Sequence, residues 1–410
     1  MKSNRRKSGS EPKCPGAIVL GGNFVGLGVA RSLGAHGIPV WVVDSDRSKS
    51  IAQFSRYTER FIEAKGNVPE FLLRAADEEG LDGWVLFPTS DEYLALLSDH
   101  YEALSSVYRL ASPPSEVTQF ALDKRLTYRK ADQLGIATPW TVSGRTLSEV
   151  GPANLSYPLI LKPAVNHHFF PHTNVKAFAV EDSTALEQRF AQMSRYISPD
   201  AILVQERIPG GGENQFSFCA ICREGRVIAS LVARRQRQYP IEFGNASTFV
   251  QTVDEPAVES SGRLFMEGIQ YDGIGEIEFK FDSRDGKFKI LDANLRPWGW
   301  LTLGKAAGID FPYLLWQQKT GLEVAPVPAC RSAAWVREIT DMVAIAKSRS
   351  RFREVNRLLR AWVSGRFTLA TFSLADPVPF FAELILWGYS GKARQRKAKQ
   401  VLQPDLRSTA

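Results

Sequence analysis

Residues Gly275–Pro297 read GEIEFKFDSRDGKFKILDANLRP, two alternating runs on either side of the turn Asp282-Ser283-Arg284-Asp285-Gly286. Asp-Gly between alternating runs marks a β-hairpin, with strands expected over Gly275–Phe281 and Phe288–Leu291. Side chains two apart on a strand share a face, so Glu276 pairs with Glu278 and Asp292 with Asn294. Arg296 follows on the same side as Asn294. Carboxylates facing a sheet interior need a partner, because burying them uncompensated is costly. A hard divalent cation supplies one: Glu278, Asp292 and Asn294 offer oxygen ligands, and phosphate oxygens would complete the shell. A solvated edge hairpin accounts for Glu278 beside Lys280, Lys287 and Lys289. It does not account for an Asp-x-Asn-x-Arg-Pro corner followed by Trp298-Gly299-Trp300.

Outward from the hairpin, the chain alternates strand and helix. Ala17–Leu20 is a short apolar strand running into glycine-rich GGNFVGLGVARSLGAHG, and Val40–Val43 is a second strand ending at Asp44, a βαβ unit. A helix over Pro69–Glu79, the strand Trp84–Pro88 and a helix after Thr89-Ser90-Asp91-Glu92 complete a small open α/β sheet. Asp123 opens a helix through Leu134, with Gly135 as its stop. Strand Tyr157–Lys162, helix Ser183–Ile197, strand Ala201–Glu206, a strand meander over Gln215–Val232 and helix Ala257–Ile269 lead back to the hairpin. The glycines Gly21, Gly22, Gly26 and Gly28 resemble a dinucleotide fingerprint with Asp44 near a ribose position, but the spacing departs from GxGxxG. A turn packing helix on strand is the competing reading.

The 410 residues suffice for two or three domains, and 44% hydrophobic with 23% charged content is that of an ordinary globular protein. No apolar run reaches spanning length, and the polar, basic Met1–Lys13 segment has no apolar core of a secretory signal. It reads as a disordered tail. Cys219 and Cys222 have CxxC spacing but fall in a strand, where they point to opposite faces, so neither a redox pair nor a zinc site is expected and the cytoplasm is the expected compartment. The net charge of +7 is uneven: from Asp341 onward there are thirteen Lys and Arg against five Asp and Glu. The body ahead of it is therefore near neutral, which argues against a nucleic-acid-binding core. Arg349–Trp362 reads as a basic helix, Phe380–Tyr389 is apolar, and Lys392–Lys399 is a basic cluster. That ending suits a helix packed on the protein's own body or, alternatively, a peripheral contact with the inner membrane surface or a protein partner.

Asp292-Ala293-Asn294-Leu295-Arg296-Pro297 resembles the Glu/Asp-x-Asn-x-Arg-Pro signature of the ATP-grasp superfamily, and Glu278-Phe279 its first metal-ligand strand. The likeness continues with Asp123-Lys124 at a helix start, Leu161-Lys162-Pro163 on a strand, and Val204–Gly210 followed by Glu213 as a hinge. The order Lys, Lys, hinge, Glu, Asp-x-Asn is the family's, and the resemblance covers about Ala17–Gly321. It implies an α/β (α+β) protein: a Rossmann-like pre-ATP-grasp domain over 14–118, a two-lobed ATP-grasp domain over 119–330 with its cleft between 119–200 and 201–330, and a helical, basic extension over 331–410. It implies ATP and magnesium, with manganese as a substitute. Lys124 and Lys162 would bind phosphates, backbone groups of Arg207 and Ile208 would meet the adenine edge, Glu206 would accept from its amino group, and Glu213 would take the ribose hydroxyls. Glu278, Asp292 and Asn294 would hold the metal, and Arg296 would stabilise an acyl phosphate.

After Lys162 the stretch Ala164–Lys176 lacks the glycines of many relatives and so resembles a carboxylate–amine ligase subgroup close to D-aspartate ligases. There Lys176 would supply charge that backbone amides supply elsewhere. His167, His168 and His172 in this stretch form a weak metal motif. In the same subgroup Arg235 and Arg237, within Arg234–Pro240, would lie near the triphosphate or acyl phosphate. The implied activity is ATP-dependent joining of a small-molecule carboxylate to an amine, amino-acid or peptide-like, with a homodimer as the default assembly. A biotin-type carboxylation has no carrier-lysine motif to support it. An NAD-linked oxidoreductase and a non-catalytic ATP-binding protein are the two other readings; the first leaves both lysines and the Glu278, Asp292, Asn294 set without a task.

Overall fold

A computed structural model of the chain describes residues 14–386 apart from 152–154, 174, 241–245, 325–326, 328–329, 349 and 364–365. The Met1–Lys13 tail, the Lys392–Lys399 cluster and the end of the Phe380–Tyr389 run lie outside the described residues.

The first unit is a parallel sheet. Strands β1 (Ala17–Leu20), β2 (Val40–Asp44), β3 (Arg60–Glu63), β4 (Val85–Pro88) and β5 (Arg109–Leu110) stand in the order β3-β2-β1-β4-β5. Helices α1 (Phe24–Gly34), α2 (Val68–Glu79), α3 (Asp91–Asp99) and α4 (Tyr101–Ser105) connect them. Asn23 starts α1 by accepting from the Val25 and Gly26 N–H groups, and Ser90 starts α3 by accepting from Tyr93 N–H. The glycine turn is structural. A Cβ on Gly26 would stand 2.0 Å from the Gly21 carbonyl oxygen, and one on Gly22 would stand 1.7 Å from Ser50 Oγ. The Asp44 carboxylate accepts from Gly22 N–H at 2.7 Å, so it serves the turn rather than standing clear for a ribose.

Helices α5 (Ser115–Leu122) and α6 (Lys124–Gln133) lead to a four-stranded lobe. Its strands β6 (Thr141–Val142), β7 (Leu159–Pro163), β8 (Phe178–Val180) and β9 (Ile202–Glu206) stand in the order β6-β9-β7-β8, with α7 (Leu147–Val150), α8 (Phe170–Thr173) and α9 (Ser183–Met193) around them. Because β9 pairs antiparallel with both β6 and β7, this lobe closes at Glu206 rather than at the residue-200 boundary expected from sequence.

The second lobe is built on β10 (Gln215–Arg223), β11 (Arg226–Tyr239), β12 (Ala246–Val253), β13 (Gly273–Asp282) and β14 (Lys287–Asn294), with α10 (Pro256–Gly268) on one face and α11 (Thr302–Ala307) and α12 (Phe311–Thr320) following the hairpin. Strands β15 (Ala334–Val336) and β16 (Phe367–Leu369) extend it to seven strands in the order β14-β13-β10-β11-β12-β15-β16. Helices α13 (Glu338–Lys347) and α14 (Arg351–Val363) form the crossover between those last two parallel strands. The segment after residue 330, expected to be a helical extension, thus contributes sheet as well as helix. One face of this sheet joins the first unit in a single core containing Cys219, Ile274, Trp298, Trp300 and Leu301 with Val19, Leu27 and Val42. The other packs Cys222, Ile277, Phe279 and Ala293 under α6 and α10. Cys219 and Cys222 are fully buried in these two different cores, and burial pushes the Cys222 thiol up to about 12.

The segment after β16 returns to the first unit. Asp376 is buried, accepts from Arg31 Nε at 2.9 Å, Ser55 Oγ at 2.6 Å and Arg56 N–H at 3.0 Å, and so straps the last segment onto the first unit. Arg337 lies over the Phe24 ring and pairs with Glu383, and Glu338 accepts from Phe372 N–H at 2.6 Å.

Candidate active site

The hairpin is where the sequence pattern put it, two residues longer on its first strand at the start. Register sets Glu276 opposite Asn294 and Glu278 opposite Asp292, with a bulge just after Glu278. Asn294 Nδ2 donates to Glu276 Oε2 and Glu278 Oε1, both at 3.0 Å. Arg235 Nη2 reaches Glu278 Oε2 at 3.4 Å. Arg296 donates from Nη2 to Asn294 Oδ1 at 3.3 Å and from Nε to Asp91 Oδ1 at 2.7 Å. Four polar strand positions and two arginines therefore meet at one corner, on the face that faces the first unit.

Glu276 is 3% exposed, and its Oε1 has no hydrogen-bond partner. Burial, reinforced by the neighbouring Glu278 charge, pushes its carboxyl up to about 8. A buried carboxyl oxygen left without a hydrogen-bond partner beside a second carboxylate is incompletely satisfied, and a cation would fit it and favour its ionised form. Among the described residues no three His, Cys, Asp or Glu side chains are arranged to hold a metal ion by themselves. The donor set is carboxylates plus an amide, which suits magnesium, an ion that keeps waters and phosphate oxygens in its shell. Glu276 was legible only as sharing a face with Glu278; no spacing rule assigned it a role.

Across the cleft, Lys124 sits at the first position of α6, whose N-cap is Asp123, and its Nζ lies 2.9 Å from Asp292. Burial works against the Lys124 charge, but Asp292 overcomes it and holds the pKa above the ordinary lysine value. Lys162 projects from β7, is 8% exposed, and donates from Nζ to Tyr128 Oη at 2.5 Å. Its pKa is lowered to about 7, first by burial and then by the Lys124 cation. Tyr128, one turn after Lys124 on α6, donates in turn to the Leu291 carbonyl at 2.9 Å. It was not picked out from sequence; the i, i+4 spacing from Lys124 is the one signal that could have done so. Lys176, though exposed at the surface, lies within electrostatic reach of Glu278, Asp292, Arg235 and Asp91; desolvation by the surrounding protein lowers its pKa, and those carboxylates offset part of the effect.

The hinge residues are engaged with the protein. Glu206 accepts from Trp140 N–H at 2.9 Å, Lys289 Nζ at 2.8 Å and Arg284 Nη2 at 2.5 Å, which leaves about one acceptor position on a carboxylate with about four. Arg207 N–H donates to the Pro158 carbonyl, and its guanidinium pairs with Glu181 at 2.7 Å. Lys280 Nζ donates to the Ile208 and Gly210 carbonyls, both at 2.8 Å. Glu213 stands on a short turn before β10, its carbonyl accepting from Arg234 Nε at 2.6 Å. The hairpin lysines that sequence reading left to a solvated edge, Lys280 and Lys289, are thus the ties between hinge and hairpin.

Arg237 is not brought to this corner. Two residues of β11 span one step of β12 between Arg235 and Arg237, a bulge at Gln236 that breaks the alternation. Arg237 is 8% exposed and is gripped by Asp341, at 2.8 and 2.7 Å, and by Glu354 at 2.8 Å, over the Phe249 ring. Its expected place beside the phosphates gives way to a tie between the sheet and helices α13 and α14. Of the histidines, His167 and His168 pack edge to face, and no metal cluster includes them among the described residues.

Comparison with known proteins follows the same lines. Residues 198–342 match the family described as ATP-grasp in the biosynthetic pathway with Ter operon. The chain is 23% identical over 300 residues to D-aspartate ligase of Enterococcus faecium (strain Aus0004), an overlap of 68% of this chain and 70% of that one. Its structure resembles the L-amino acid ligase from Bacillus licheniformis, with TM-score 0.61 and 17% identity over 78% of each chain. It also resembles N5-carboxyaminoimidazole synthetase from Staphylococcus aureus complexed with ADP, with TM-score 0.63 and 14% identity over 84% of this chain and 86% of that one. The fold is that of the solved structures it resembles, and residues 198–342 match an ATP-grasp family. Among the relatives the chain is similar to are D-aspartate ligase and L-amino acid ligase.

Proposed function

We propose that this protein is an ATP-dependent carboxylate–amine ligase that activates a carboxylate as an acyl phosphate and passes the acyl group to an amine, releasing ADP and phosphate. Lys124, Lys162 and Lys176 would hold the triphosphate as charges on flexible stems, with Arg235 beside Glu278. Magnesium, when bound at Glu278, Asp292 and Asn294, supplies neutralisation of the phosphate oxygens. Arg296 would meet the negative charge that develops as the carboxylate attacks phosphorus and as the amine attacks the acyl carbon, a stabilisation made in the transition state. Asp91 holds Arg296 in position across the boundary between the first unit and the second lobe. Glu206, Arg207, Ile208 and Glu213 line the hinge for adenosine. The two relatives that are amino-acid ligases favour an amino acid as one substrate.

The observation that carries this reading is the corner itself: Asn294 bridging Glu276 and Glu278, with Lys124 on Asp292 and a buried carboxylate oxygen left for a cation. The test is a matrix of amino acids and short peptides as acid and amine, read by ADP release and by mass of the amide product. Carboxylate labelled with oxygen-18 should deliver one label to phosphate if the acyl phosphate forms. Asp292→Asn should lower turnover by at least about two orders of magnitude while leaving the circular-dichroism spectrum unchanged. Wild-type turnover in that variant would remove the site assignment.

A further inference from the structure

Helix α14 has two unlike faces. On one, Leu358 and Ala361 pack with Phe249, Ala334 and Val336, and Glu354 binds Arg237. On the opposite face stand Phe352, Val355, Leu359, Trp362 and Val363, an i, i+3, i+7, i+10, i+11 stripe. That stripe faces water: Phe352 is 90% exposed, Val363 78% and Trp362 65%. Single exposed apolar residues are unremarkable, but five aligned on one helix mark an interaction surface.

The charges around the stripe say what covers it. Arg351 lies along one edge and Arg353 and Arg360 along the other, and all three are exposed. The helix has a single acidic residue, Glu354, and it is buried against Arg237 on the far face. The segment that follows repeats the pattern, with Leu374, Val378, Phe381 and Ile385 exposed. Thirteen of the chain's Lys and Arg, against five Asp and Glu, lie beyond residue 340. Among the described residues no helix is long and apolar enough to cross a membrane.

We propose that α14 is an interfacial helix that seats the protein on an anionic lipid surface. The Phe352–Val363 stripe enters the boundary between headgroups and acyl chains, and Arg351, Arg353 and Arg360 pair with lipid phosphates. A second copy of the chain is a poor occupant, since the face would meet its own concentration of positive charge.

The test is co-sedimentation of the full chain with two kinds of vesicle, phosphatidylcholine alone and phosphatidylcholine in which about one lipid in three is phosphatidylglycerol. Binding should be stronger to the anionic vesicles by on the order of 100-fold, since each surface arginine contributes about a tenfold or smaller factor. It should weaken as salt rises from about 0.1 to about 0.5 M. Phe352→Ser with Trp362→Ser should abolish sedimentation while the thermal unfolding midpoint stays at the wild-type value. Should that pair lower the midpoint, Arg353→Glu with Arg360→Glu, which touches only exposed side chains, serves in its place. Absence of binding to anionic vesicles, equal binding to neutral ones, or wild-type binding by these variants overturns the proposal. So does a lipid-free dimer in sedimentation equilibrium that Phe352→Ser with Trp362→Ser dissociates, because the stripe then belongs to a second copy.

Discussion

Lys162 gives the site a pH dependence that can be worked out before any substrate is known. Burial and the Lys124 cation bring its pKa from the ordinary 10.5 to about 7, so charging it costs roughly 5 kcal/mol. On the proposed function, triphosphate oxygens would supply the missing partner and restore the ammonium. Nucleotide binding above neutrality must then take up a proton. With one group titrating near pH 7 and charged when bound, the dissociation constant should weaken about 50-fold between pH 7 and pH 9, with about one proton taken up per nucleotide at pH 8.5. Lys124 does not blur this, because Asp292 holds its pKa above the ordinary value and it stays charged throughout. The assay is calorimetric titration with a non-hydrolysable ATP analogue and magnesium, in buffers of differing ionisation enthalpy. Lys162→Met should bind more weakly at pH 7, show a flat profile and take up no proton. A pH-independent constant and no proton uptake in the wild type would refute the argument. The same shift has a stability consequence of definite sign. The unfolded chain binds more protons at this lysine between about pH 7 and the ordinary 10.5, so the nucleotide-free fold gains stability as pH rises through that window.

Two further outcomes follow from buried charge. Lys289→Met removes one of two cations from Asp282, which keeps Arg284, and from Glu206; urea unfolding should show a loss of about 1.5–3 kcal/mol, the worth of hydrogen bonds to charged groups, and a loss under about 0.5 kcal/mol would make the pair incidental. Arg237→Met leaves buried Asp341 and Glu354 without their guanidinium and should cost about 3–5 kcal/mol, while nucleotide affinity measured on the folded fraction stays within about threefold of wild type; a selective loss of affinity would return Arg237 to the phosphate site.

The hairpin was legible because an Asp-Gly turn set its position and alternation paired Glu276 with Glu278 and Asp292 with Asn294. That the two pairs share one face was not legible, because a bulge at Leu291 shifts the register beyond Phe279 and brings Asp292 opposite Glu278. The observed strands Gly273–Asp282 and Lys287–Asn294 extend the expected ones without shifting them. Three strands of the first parallel sheet were legible as short apolar runs between helices; β3, with charged residues at both ends, and the two-residue β5 were not. Arg237 was misplaced because alternation carries no sign of a bulge: Arg235-Gln236-Arg237 has the pattern of an ordinary strand, and only pairing with β12 shows the extra residue. Strands β15 and β16 are three residues each, too short for periodicity to register, and they exist because β12 offers an edge far away in sequence. Glu276 and Lys289 show a different limit. A carboxylate or lysine on an alternating strand has the same pattern whether its face meets water or another lobe, and the partners that decide it lie elsewhere in the chain.

The grip of Asp376 on Arg31, Ser55 and Arg56 has a consequence for synthesis. The first hundred residues leave the ribosome with a surface arginine and two donors prepared for a carboxylate that is made more than three hundred residues later. Until then the first sheet must hold with that seam open. A product that stops before Asp376 would carry every proposed catalytic group and still lack the fastening of the segment after β16 onto the first unit.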